Sequence, residues 1–346
     1  MITLDNHTPR ELVLGQLEHR ETTPVPYDFF NQNFGDLGER LDDYYGGTGW
    51  REQLVPFIVG VKALDSKQQK PLGDGRSIDG CGTVWRTDLR PSYVEKPALT
   101  EASLKGYDFP EPDTFFDPDM LEAGRRTLEA ATNSFRYAHI GMGMFERSWI
   151  LRGFENALTD LMTEPGFYND LLDRIERLLT GFAEYAAELP CDAVMLGDDW
   201  GEQRGVIMGP ERWRKVFKPR YARLYETIHK RGKFVIQHCC GNITDIMPDL
   251  VDIGLDVLQS VQPEAMDIDT LKRRWGRHIT LYGGLGSQST LPFGTPEDIR
   301  REIAHLVRDI GAGGGYILAC AKTFQPETPL ENAVAVIESF TKQDRL

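Results

Sequence analysis

The chain has 346 residues, 40% of them hydrophobic and 27% charged, which is enough apolar material for a large core and excludes a disordered chain. Length alone allows one large barrel or two ordinary domains. The formal net charge is −14, with 39 basic residues dispersed among 53 acidic ones, so the summed field repels nucleic acid and anionic membrane, and neither is an expected partner.

The opening MITLDNHTPRELVLG lacks a basic stretch followed by a long apolar run, and no window approaches the ~18 apolar residues of a membrane span. A soluble, cytoplasmic protein is therefore expected. The five cysteines, Cys81, Cys191, Cys239, Cys240 and Cys320, are an odd number without an export signal. That argues against a disulfide framework and leaves thiols for metal binding.

In chain order, a helix is expected over residues 9–19 and an apolar strand over 25–30. A Gly- and Asp-rich stretch follows at 35–49, then a β-ribbon between Gly82 and Val94. Residues 1–130 read as including decoration of a barrel. Helices at 118–131 and 145–162 flank an apolar run at 137–144 that suits an early barrel strand.

The second half alternates strand and helix, with strands at 193–196, 234–236, 257–261, 279–282 and 315–318 and a helix at 210–230. Leu171, Leu172, Ile175, Leu178, Leu179 and Phe182 recur at helical spacing, as do Ile299, Ile303, Leu306, Val307 and Ile310. Thr295-Pro296-Glu297-Asp298 and Thr328-Pro329-Leu330-Glu331 each read as a threonine N-cap followed by proline at the first helical position. Such βα alternation means a parallel sheet, and no linker divides the chain. The expected fold is α/β, a single (β/α)8 TIM-type barrel over residues 1–346 with an irregular N-terminal decoration.

Chemistry is expected at the C-terminal ends of the strands, where this fold keeps its active sites. Residues i and i+2 of a strand share a face, so an extended segment over 234–240 turns His238 and Cys240 one way and Cys239 the other. Asp198, Asp199 and Glu202 follow one strand, Gln262 and Glu264 another, and Cys320 the last. His238, Cys240 and Cys320 make one nitrogen and two thiolates, a set suited to zinc with an open fourth position. Two structural alternatives stand beside this: a buried His-Cys-Cys core segment, and an Asp198-Asp199 pair that caps a helix or forms salt bridges. The runs Gly283-Gly284-Leu285-Gly286 and Gly311-Ala312-Gly313-Gly314-Gly315 lack phosphate-loop or dinucleotide spacing and read as close backbone approach and a turn.

The segments TPRELVLGQLEHRETTPVP, DDWGEQRG, GKFVIQHCCGNITDIMPDLVDIGLDVLQSVQPEAMDIDTLK and LYGGLGSQSTLPFGTPEDIRREI resemble the uroporphyrinogen decarboxylase superfamily over most of the chain. The resemblance implies a TIM-type barrel and one of two chemistries, cofactor-free decarboxylation or zinc-dependent methyl transfer with corrinoid proteins. Decarboxylases carry an RQAGR-type motif after the first strand, where this chain has PYDFFNQNFGDLGER, without an arginine before Arg40 in that segment. The methyltransferases carry a His-x-Cys-Gly motif and a later cysteine, which His238-Cys239-Cys240-Gly241 and Cys320 resemble, although ACAKTFQPETPLEN is longer than expected after the cysteine.

The implied activity is transfer of a methyl group between a small methoxy, methylamine or methylthio donor and cobalamin carried on a separate corrinoid protein, with Zn2+ held by His238, Cys240 and Cys320. Asp198, Asp199 and Glu202 would orient substrate or supply a proton, and Gln262, Glu264 and Tyr282 are the expected substrate-binding residues. A homodimer is compatible with this reading. The alternatives are a decarboxylase of a carboxylated substrate and a non-catalytic ligand-binding barrel.

Overall fold

Apolar runs with polar ends form strands because each can be covered on both faces, by barrel lumen and by helices. The computed structural model describes residue 4, residues 7–65 and residues 67–345. Its strands are β1 (Tyr27–Asp28), β2 (Ile58–Lys62), β3 (Lys70–Gly73), β4 (Arg76–Ile78), β5 (Val84–Arg86), β6 (Tyr93–Lys96), β7 (Phe135–Met142), β8 (Ala193–Gly197), β9 (Phe234–His238), β10 (Val257–Val261), β11 (Thr280–Leu285) and β12 (Tyr316–Cys320). Eight of them form a parallel sheet in the order β1-β12-β11-β10-β9-β8-β7-β2. With helices between them this is a nearly closed (β/α)8 barrel. No helix among the described residues is long and apolar enough to cross a membrane.

The seam between β1 and β2 is bridged by a side chain in place of a ladder. Asn31 Nδ2 donates to Gly60 O (2.8 Å) and Gly60 N donates to Asn31 Oδ1 (3.0 Å). The strand expected at 25–30 is short because Phe30, Asn31 and Gln32 take positive φ of 51°, 58° and 57°. Their left-handed turn wraps backbone N–H groups around the buried Asp28 carboxylate, which is an acceptor for Phe29, Phe30 and Asn31.

The expected ribbon is larger than Gly82 to Val94. It is a four-stranded antiparallel sheet, β3-β4-β5-β6, inserted between β2 and β7. It reaches the helix Met144–Arg152 through Thr83 Oγ1, which donates to Ile150 O, and so lies beside the barrel mouth.

The helix Pro165–Ala187 buries the predicted stripe Leu171, Leu172, Ile175, Leu178, Leu179 and Phe182 against the sheet. Two predicted helices are each broken in two. Residues 145–162 fall into Met144–Arg152 and Phe154–Thr163 around Gly153 (φ 86°), and 210–230 into Pro210–Val216 and Lys218–His229, where Pro219 has no N–H to continue the ladder. Thr295 closes the expected capping box with Asp298 at the start of Pro296–His305. The second start is corrected. Leu330–Thr341 has Pro329 as its N-cap without a side-chain cap bond, and Thr328 is buried one residue too early to cap it.

Candidate metal centre and cavity

In β9, Gln237 accepts from Tyr225 Oη on the helix Lys218–His229, so His238, one residue on, faces the lumen. His238 lies beside Gln259 of β10 in register, and the ring Nδ1–H donates to Gln259 Oε1. That bond fixes the tautomer and leaves the Nε2 lone pair free. Nε2 is 3.4 Å from Cys240 Sγ and 3.8 Å from Asp199 Oδ1. Asp199 Oδ1 in turn accepts from Cys240 N (2.7 Å). The three donor atoms lie within 4.8 Å of one another. Ligands ~2.0–2.3 Å from a tetrahedral zinc ion are separated by about 3.3–3.8 Å, so the donor types and spacings fit such an ion.

The loops that carry these donors meet backbone to backbone. Asn242 N donates to Glu202 O (2.8 Å), and Gly241 takes φ 78°. A Cβ on Gly241 would fall 2.4 Å from Gly201 C, and one on Gly201 2.6 Å from Cys240 O. Burial first, then Asp199, pushes the Cys240 thiol up to about 12, so a thiolate here needs a nearby cation. Cys239 is buried on the opposite face and accepts from Trp200 N (3.3 Å).

Of the two adjacent aspartates, only Asp199 reaches the cluster. Asp198 is fully buried and accepts from Phe145 N (2.9 Å), Glu146 N (2.7 Å), Trp200 Nε1 (2.7 Å) and Tyr221 Oη. It caps the helix Met144–Arg152 from a neighbouring strand, which is the structural alternative for this position. Glu202 is exposed and accepts from Arg204 N (2.9 Å) in its own loop.

Gln262 and Glu264 hold loops. Gln262 Oε1 accepts from Gly241 N (2.7 Å), and Glu264 Oε1 accepts from Gln288 N (2.7 Å), Ser289 N (3.0 Å) and Ser289 Oγ (2.8 Å). Tyr282 lies in the lumen, donating to Asp28 and stacked on Phe30 at 6.4 Å between ring centroids. Burial pushes Asp28 up to about 6 against these hydrogen bonds.

The structure does not bring Cys320 to His238 and Cys240. Cys320 shares a strand face with Tyr316, whose hydroxyl donates to Gly283 O beside Ile268 and Leu306 of the helical layer. Its buried thiol is pushed up by burial and by Glu302 on the helix Pro296–His305. The strand phase turns it outward, and Asp199 stands as the third donor.

A cavity of about 280 Å³ opens beside His238, with Lys62, Lys67, His139, Met142 and Glu146 among its walls. Burial, then His238 and Lys62, lowers His139 to about 4, so its ring is neutral. Glu146 is pushed up by burial first and by Asp198 and Asp199 next. A larger cavity of about 370 Å³ at the β1–β2 seam shares no lining residue with this one.

The sequence profile described as Uroporphyrinogen decarboxylase (URO-D) matches residues 80–343. The chain belongs to the URO-D family. It is 26% identical over 182 residues to a uroporphyrinogen decarboxylase of Thermus thermophilus, covering 51% of this chain and 48% of that protein. It is 22% identical over 267 residues to that of Pseudomonas fluorescens, covering 75% and 73%. The chain thus spans about half the length of the Thermus relative. Among solved structures it is similar to a methyltransferase from Methanosarcina mazei, with TM-score 0.70 and 17% identity over 99% of this chain and 100% of that one. That likeness shows a shared fold over the whole chain.

Sequence reasoning missed Lys62, Lys67, His139, Glu146 and Gln259. A signal existed for two of them. His139 alternates in phase within the recognised apolar run, and Lys62 ends the run FIVGVK that forms β2. Nothing local marked Gln259, whose role comes from its register with His238.

Proposed function

We propose that this URO-D family member is a zinc-dependent methyltransferase that moves a methyl group between a small methylated donor and a corrinoid protein. The observation that carries the reading is the Asp199–His238–Cys240 constellation, three donors within 4.8 Å of one another with the histidine ring held by Gln259. Zinc held there would act as a Lewis acid on the heteroatom bearing the methyl group. Gln259 holds the His238 ring through Nδ1, so that Nε2 would be offered to the ion, and Asp199, which anchors the Cys240 backbone, would supply an oxygen. Glu146, raised and beside the cavity, is placed to hold or release a proton as the donor loses its methyl group. The fold likeness to a methyltransferase supports the same reading. Cobalamin would arrive on a separate corrinoid protein docked at the strand C-terminal face.

Decarboxylation of a carboxylated substrate is the second reading, favoured by the names of the sequence relatives and by two lysines on the cavity wall. The deciding experiment supplies methyl donors and cob(I)alamin to protein purified without chelator and follows methylcobalamin by absorbance. Methyl transfer is expected in the zinc-loaded protein and lost in His238→Ala and Cys240→Ala. Metal-independent release of carbon dioxide from uroporphyrinogen, with no methyl transfer, would replace this reading with the second.

A further inference from the structure

We infer that the methyl donor is a small anion, a carboxylate carrying a methoxy or methylthio group, held with its carboxylate against Lys62 and Lys67 and its methylated end toward His238 and Cys240. This rests on the methyltransferase reading for the methyl group, while the anion site stands on the cavity itself.

In a chain of net charge −14, two lysines line one cavity. Neither forms an ion pair among the described residues. Lys62 ends β2 at the exposed rim, and Lys67 lies half-buried within, its ammonium over the Trp85 ring at 4.6 Å from the centroid. That ring contact uses the cation's charge and leaves its N–H donors unspent.

Two acids, Asp65 and Glu146, share this lining, and a third, Asp79, lies near Lys67. Asp65 Oδ1 accepts from Lys67 N (3.3 Å), and Asp79 accepts from Cys81 N (2.9 Å), Thr83 N (3.0 Å) and Trp85 Nε1 (2.8 Å). Glu146 acts on Lys67 through space without pairing with it. Burying an ammonium without a counter-charge is unfavourable, and an arriving carboxylate supplies one.

A third basic group faces the same space. His139 lies beside Lys62 in register, and its ring has no hydrogen-bond partner among the described residues. Its N–H is available to the same anion. Lys62 and Lys67 therefore supply two cations and His139 a neutral N–H donor to one cavity, and the metal-donor cluster begins at His238 on the same cavity.

Size narrows the class further. With water at about 30 Å³ per molecule, the cavity of about 280 Å³ holds a donor on the order of ten non-hydrogen atoms. A protonated methylamine meets Lys62 and Lys67 as like charges.

The test is calorimetric binding to the zinc-loaded full chain, with methoxyacetate and 4-methoxybenzoate as anionic probes, and 2-methoxyacetamide and dimethylammonium as uncharged and cationic controls. At least one anion should bind tenfold or more tighter than both controls and weaken tenfold or more in Lys62→Gln and Lys67→Gln. Lys67→Arg should retain the site, and metal content should be unchanged in all three variants. Binding of neither anion, equal binding of acid and amide, or indifference to both lysine substitutions would overturn the inference. Lysine-dependent anion binding in a protein that holds no metal and transfers no methyl group would uphold the anion site and remove the methyltransferase reading.

Discussion

At the ends of β8 and β9 three donor atoms of metal-ligating type turn toward one another, whereas at the ends of β10 and β12 the polar side chains are spent on loop backbone or turned toward the helical layer. His238 Nε2, Cys240 Sγ and Asp199 Oδ1 converge within 4.8 Å. Gln262 Oε1 and Glu264 Oε1 instead accept from Gly241, Gln288 and Ser289, and Cys320 turns outward toward Glu302. The same split separates adjacent residues, with Asp198 saturated by four donors beside Asp199. What sets Asp199, His238 and Cys240 apart is the other donor atoms each one meets, together with the phase of the strand.

The sharpest test of that contrast is the aspartate pair. Asp198→Ala strands four buried donors and should cost roughly 3–5 kcal/mol, whereas Asp199→Ala frees one backbone N–H and should cost about 1 kcal/mol in the presence of chelator. Urea unfolding of both variants reads the difference, and equal losses would break it.

The β1–β11 side makes a pH prediction. Asp28 is raised to about 6 from 3.8, so the folded protein binds that proton more tightly than the unfolded chain does. Its contribution is fully present below about pH 4 and is lost as pH rises through 6, a fall of roughly 3 kcal/mol for a buried group. Asp28→Asn should flatten stability across this window, measured by unfolding at pH 4.5 and pH 7. An unchanged slope would place the titration elsewhere.

Smaller effects sharpen the division. Gln259→Leu removes the bond that fixes the His238 tautomer and should weaken metal affinity about 10–100-fold with the fold retained, read by competition with a chromophoric chelator. Thr295→Ala removes a cap on the spent side and should cost about 1 kcal/mol of unfolding free energy without altering metal affinity.

The barrel was largely legible in the sequence, because buried parallel strands are apolar runs and their covering helices carry a periodic stripe. Leu171 to Phe182 is an instance. The helix breaks at Gly153 and Phe217 were less so, since apolar spacing runs on through each break. His238 and Cys240 were legible as a pair because strand alternation acts within a few residues. Cys320 was misplaced because phase does not carry from one strand to another, and the outward side of β12 depends on Tyr316 and the helix above it. Asp199 and Asp198 could not be separated from sequence, as their roles rest on Cys240 and on Phe145, each more than forty positions away in the chain.

The central claim is that the metal donors are Asp199, His238 and Cys240. Elemental analysis of the protein purified without chelator tests it most directly, comparing wild type with Asp199→Asn, His238→Ala and Cys320→Ser. Stoichiometric zinc in wild type and Cys320→Ser, loss in His238→Ala and marked depletion in Asp199→Asn are predicted. Zinc lost in Cys320→Ser and kept in Asp199→Asn, or no zinc in well-folded wild type, would contradict the account.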